Sequence, residues 1–232
     1  MKLQIQNSKF KIYSFFIILI VSYQLSIINC FAQPFEGIIK SEFFVAENNS
    51  ITFLTWYITS TKVALEMKPE TDSSTTPQIT RFIMHEGDDE MKILTLMPDG
   101  KKYFTLMEEK SIHAGEGFNY KSFETVKTDE FSVLLEQKCR KLFSKTNSIK
   151  STCWVAEDLV THIIDYSKFM KSDYDILAMH NWDMTGFPMK SVTTTLSGDL
   201  VSTMIVKEII PQKISKSEFE IPKDAKEREG KN

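Results

Sequence analysis

From Lys62 to Lys68 the chain changes character at every step, with Val63, Leu65 and Met67 set against Lys62, Glu66 and Lys68. Side chains of an extended chain point alternately to two sides, so this period marks a strand with one face in a core and the other toward water. The same alternation runs through Phe35, Gly37, Ile39, Ser41, Phe43 and Val45, interleaved with Glu36, Ile38, Lys40, Glu42 and Phe44. Ile51–Thr59 is apolar on both sides, which predicts a central strand covered on two faces.

Further strands are expected over 78–85, 91–97, 102–107, 189–196 and 200–209, with a last short one over 216–221. Between them fall turn signals: the loop from Pro69 to Pro77, Gly87-Asp88-Asp89, Pro98-Asp99-Gly100 and Ser197-Gly198-Asp199. Phe118–Glu130 is polar and irregular and reads as a long surface loop, followed by a hairpin over 131–156. Tyr166–Met179 is the helix candidate, because Phe169, Met170, Asp173, Tyr174, Leu177 and Ala178 approximate an i, i+3, i+4 stripe. Tight turns join antiparallel neighbours. The expected architecture is therefore mainly β: one curved antiparallel sheet, an open or half barrel, with one packed helix. A single domain is expected over 33–224, with a charged tail over 225–232.

The N-terminus carries Lys2, Lys9 and Lys11, then the apolar stretch 12–28, then Cys30-Phe31-Ala32 ahead of Gln33-Pro34. Basic, apolar and small-x-small is the pattern of a secretion signal, so residues 1–32 are expected to be cleaved after Ala32. A retained span needs roughly 20 strongly apolar residues, and Ser14, Ser22, Gln24 and Ser26 interrupt this one. Lipid attachment at Cys30 is the alternative, disfavoured by Asn29 where a small residue is wanted. The remainder is expected to be periplasmic or secreted, with no transmembrane anchor. It carries 25 basic against 31 acidic residues. That balance excludes the electrostatic footprint of a nucleic-acid binder and suits anionic membrane poorly.

Two cysteines remain in the mature chain, Cys139 and Cys153. An even pair in an exported protein suggests a disulfide, and a hairpin centred near Thr146 would set them opposite each other. Two free, partly buried thiols are the alternative, since a slip of one residue sends the side chains to opposite faces.

Catalytic chemistry has little to stand on. His85, His113, His162 and His180 form no ligand-spaced pair, so no metal site is expected. Asp88, Asp89 and Glu90 cluster in a predicted turn and read as solvated. Asn48-Asn49-Ser50 is a glycosylation sequon by pattern, without bearing in a bacterial host. No Gly-x-Ser-x-Gly elbow or phosphate-binding loop is present, so neither catalytic residues nor a cofactor is expected. Apolar supply is the unusual feature, with eleven methionines and many aromatic residues. Such residues fill ordinary cores. On a curved sheet they can also line a concave site for a greasy ligand, because thioethers adapt to irregular shapes. The candidate lining is Phe53, Trp56, Met67, Phe82, Leu94, Phe104 and Trp154.

Several short segments resemble the exported bacterial proteins grouped as domain of unknown function 4412. They are Phe35-Glu36-Gly37-Ile38-Ile39, Pro98-Asp99-Gly100-Lys101-Lys102-Tyr103, Lys138-Cys139-Arg140-Lys141, Trp154-Val155-Ala156-Glu157-Asp158-Leu159, Gly186-Phe187-Pro188-Met189-Lys190 and Phe219-Glu220-Ile221-Pro222. Ala156, where the family pattern has Thr, and Glu136-Gln137, where it has Gly-Tyr, depart from it, and Cys153 precedes Trp154, so the disulfide would be peculiar to this chain. The resemblance implies no activity and no catalytic residues. It is looser toward the half-barrels of periplasmic lipoprotein carriers. Three functions follow as expectations: binding of a lipid or an acylated lipoprotein partner on the concave face, an interaction protein with a filled core working through a sheet edge or the 108–130 loop, or a hydrolase with a dispersed site.

Overall fold

The computed structural model describes residues 34–71, 78–85, 87–108, 124–159, 161 and 186–228. Its strands are β1 (Gly37–Val45), β2 (Ser50–Ile58), β3 (Lys62–Pro69), β4 (Ile79–His85), β5 (Glu90–Leu96), β6 (Lys102–Glu108), β7 (Glu124–Leu134), β8 (Gln137–Lys145), β9 (Ile149–Ala156), β10 (Phe187–Thr195), β11 (Leu200–Pro211) and β12 (Lys226–Glu227). All belong to one sheet, in the order β12-β6-β5-β4-β3-β2-β1-β11-β10-β9-β8-β7. The sheet is curved and open, not closed into a barrel. Two meanders, β1–β6 and β7–β11, meet where β1 pairs antiparallel with β11 along Gly37↔Pro211 to Val45↔Ser202.

Turn chemistry sets the registers. Gly100 takes φ +81°, and its N–H donates to the Met97 carbonyl at 2.9 Å, closing the β5–β6 hairpin. Gly198 does the same for β10–β11 at φ +105°, with the Asp199 carboxylate accepting from the hydroxyls of Ser197 and Thr195. Four ladders of the described strands carry register shifts, and two of them matter here. One lies between Lys40 and Ser41 of β1 against β11, the other between Pro188 and Lys190 of β10 against β9. Proline has no N–H for a ladder, so within a central strand it belongs at such a break.

Four sequence expectations need correction. The disulfide does not form: Cys139 and Cys153 are both free. The Thr146 hydroxyl accepts from the N–H groups of Ser148 and Ile149, and the Thr146 N–H donates to the Ile149 carbonyl. The resulting turn pairs Lys145 with Lys150, and hence Cys139 with Ala156 and Leu142 with Cys153. The cysteines are thus offset by three residues and lie on opposite faces of their hairpin. Next, residues 124–130 are not loop but the polar start of β7. They read as irregular because three residues, Thr128 to Glu130, bulge opposite Lys141 at a sheet edge. Residues 216–219 form a 3-10 turn rather than a strand, because the Ser215 hydroxyl caps it by accepting from Ser217 N–H. Finally, the charged tail begins as β12, parallel to β6 through Lys226↔Tyr103 and Glu227↔Phe104. The helix expected over 166–179 lies outside the described residues.

Candidate functional site

Register alone assembles the largest apolar surface. One row of paired side chains crosses the sheet as Ile209, Ile39, Trp56, Leu65, Phe82 and Ile93 before ending at Thr105. A parallel row runs Val206, Ser41, Leu54, Met67, Thr80, Thr95 and Tyr103. Ile39, Trp56 and Leu65 are wholly buried, and Met84, Met91, Met189 and Met204 join the same cluster. Each fully buried side chain of this size contributes about 1.5–3 kcal/mol. The Phe187 ring meets the Trp56 indole edge-on, with centroids 5.8 Å apart. Polarity rises in steps from β4 to β6 through Thr80, Thr95 and Tyr103. Within the apolar centre, the buried Ser41 hydroxyl has no hydrogen-bond partner.

Of the seven residues expected to line a ligand site, four share this surface: Trp56 within it, and Met67, Phe82 and Trp154 packed against it. Lys190 Nζ lies 5.1 Å from the Trp154 ring centroid. The other three lie elsewhere. Phe53 is three residues from Trp56, so strand parity turns it to the opposite face, where it is exposed. Leu94 pairs with Phe104 and with Arg81, also on that opposite face. Counting apolar residues without their parity mixes the two sides.

The opposite face carries a polar centre that the sequence does not announce. The Arg81 guanidinium bridges Glu66 on the neighbouring strand and Glu218 on the 3-10 turn, the latter at 2.7 Å, and stacks 5.1 Å over the Tyr57 ring. Its hydrogen bond to Glu66 and the surrounding carboxylates hold the guanidinium above its usual range despite burial. Burial, aided by Glu66, likewise pushes the Tyr57 phenol up. Phe219 inserts beside Ala64 and Ile83. His85 stands near, opposite Lys62, with Nδ1 3.6 Å from Asp88. Burial and the two lysines Lys62 and Lys92 lower its pKa. This arrangement fastens the C-terminal segment to the sheet.

Among the described residues no three His, Cys, Asp or Glu side chains gather at metal-binding distance. His113, His162 and His180 lie outside them. Burial raises the pKa of both thiols, most for Cys153, which keeps them protonated. No helix among the described residues is long and apolar enough to cross a membrane.

The model for "Domain of unknown function (DUF4412)" matches residues 35–225. The chain belongs to this family. No curated protein matches it. Solved structures resemble it only loosely and at low identity. An uncharacterized conserved protein from Thermus thermophilus is 9% identical, with TM-score 0.47, over 84% of this chain and 91% of that one. MucB in complex with MucA(peri) is 8% identical, with TM-score 0.46, over 81% and 54%. PNGF-II is 16% identical, with TM-score 0.45, over 83% of this chain but 31% of that one, so the chain spans about a third of its length. At these scores none of them informs what this DUF4412 chain does.

Proposed function

We propose that this DUF4412 protein is an exported cell-envelope protein whose apolar sheet face holds a hydrophobic ligand or the acyl chain of a lipidated partner. The observation that carries the reading is the run of part-buried side chains Met67, Phe82 and Ile93, which continues the buried row of Trp56 and Leu65 on a sheet that curves without closing. An apolar concavity with a few polar groups at one margin is the usual form of a lipid site. Thr80, Thr95 and Tyr103 supply that margin, and the unpartnered Ser41 hydroxyl supplies one donor inside it.

The test is solvent extraction of purified protein with mass spectrometry, together with titration by a fluorescent fatty acid. Saturable binding is expected, lost in Phe82→Asp, which places a charge on the row. A protein that yields no lipid and shows no saturable site overturns the reading.

A further inference from the structure

We propose that the β7 edge is a pairing surface through which two copies of this chain join, strand against identical strand. The proposal is independent of any ligand on the apolar face.

Of the ten exposed large apolar residues among the described residues, five fall between Val126 and Phe143: Val126, Phe131, Val133, Leu135 and Phe143. They occupy the hairpin of β7 and β8, and β7 is the last strand of the sheet. Val133 is 71% exposed, the most of the ten. A long edge strand with uncovered apolar side chains is the kind of surface that soluble proteins normally blunt.

The hairpin geometry says which backbone groups are open. Leu134 pairs with Gln137 across a two-residue turn, in which Leu135 and Glu136 both take positive φ, 47° and 64°. In such a hairpin the residues flanking the turn bond to each other and bonding alternates from there. Leu134 and Ser132 therefore bond inward to β8. Phe131 and Val133 direct their N–H and C=O groups outward, and theirs are also the exposed apolar side chains. The turn itself is strained, because neither Leu nor Glu favours the left-handed region. Strain retained at the tip of an open edge points to a shape kept for contact rather than for stability.

Three features single out a second copy as the occupant. Antiparallel pairing about Ser132 sets Phe131 against the partner's Val133, and Val133 against the partner's Phe131, an aromatic against a β-branched residue on both sides. Charge is compatible too. Lys138 and Arg140 lie 4.3 and 4.6 Å from the Phe131 ring centroid. They flank the apolar pairs, so that Arg140 stands three strand spacings, roughly 14 Å, from the partner's Lys138. Arg140 is neutralised by Glu157 and Asp129, and Lys141 by Glu130. The hairpin's five basic and four acidic side chains nearly balance, which calls for neither a strongly acidic nor a strongly basic partner. Lastly, the opposite edge is occupied by β12 on β6. Two-fold pairing about Ser132 uses the same edge on both copies, so it is isologous and closes at two rather than running on as a fibre.

Sedimentation of the mature chain over a concentration series is the test, joined to amide hydrogen exchange. A concentration-dependent dimer is expected, in which the Phe131 and Val133 amides gain protection as the dimer fills. Val133→Pro removes an outward N–H while leaving the β7–β8 ladder its bonds. Val133→Lys puts a charge at the seam. Each should weaken dimerisation by at least about tenfold with the melting temperature of the monomer unchanged. A monomer at every concentration overturns the proposal. So does a dimer that leaves these two amides unprotected, or one that survives both substitutions.

Discussion

The two edges of this sheet solve the same physical problem in opposite ways. At the β6 edge the C-terminal segment turns back. Phe219 and Arg81 pin it to the sheet, β12 covers two residues of the edge, and Arg228 closes over the Tyr103 ring at 3.7 Å while its N–H donates to the Phe104 carbonyl. Lys102 and Asp224 add an ion pair at 2.8 Å. At the β7 edge nothing comparable is present among the described residues, and apolar side chains stand in water instead. A chain that folds its C-terminal segment over one edge and leaves the other greasy is showing which of its edges is meant to be met.

Substitutions can break that contrast from either side. Phe219→Ala should have the largest effect, about 3 kcal/mol lost in urea unfolding, since it empties a buried site. It should also open the closed edge and cause association that Val133→Pro no longer prevents. Arg81→Met removes the counter-charge of two half-buried carboxylates and should cost about 2 kcal/mol, read by the same unfolding curves. On the other side, Glu136→Gly relieves a left-handed residue and should stabilise the hairpin by about 1 kcal/mol. Unchanged stability there would mean the turn is not strained. The smallest effect is one of pH. His85 has a lowered pKa, so its contribution is present above the ordinary value near 6.5 and is lost as pH falls below it. Between about pH 7 and 5 the wild type should lose stability relative to His85→Gln, while exchange at β7 stays the same in both.

Much of the sheet is legible in the sequence. The alternation in β1 and β3 and the glycines at 100 and 198 placed strands and hairpins to within a residue or two, because period and positive φ are local properties. The departures are partly local and partly not. Cys139 and Cys153 miss each other because the Thr146 hydroxyl shifts the turn centre. Residues 124–130 lacked alternation because an edge strand with a bulge need not bury either face. Phe53 and Leu94 lie on the face opposite Trp56, because the parity between strands comes only from register. Arg81 gave no sign of itself, as its partner Glu218 comes from the far end of the chain.

One seam organises the whole molecule. Because β1 lies beside β11, the strand that begins the domain waits for almost the last to arrive, with a closure between residue 37 and residue 211 that local hairpins cannot anticipate. Gly37 marks the spot: any side chain there would run into the Ile210 carbonyl, 2.3 Å from where its Cβ would sit. Until that carbonyl is in place, the two meanders are separate pieces of unfinished work, and a chain halted short of it has two additional raw edges.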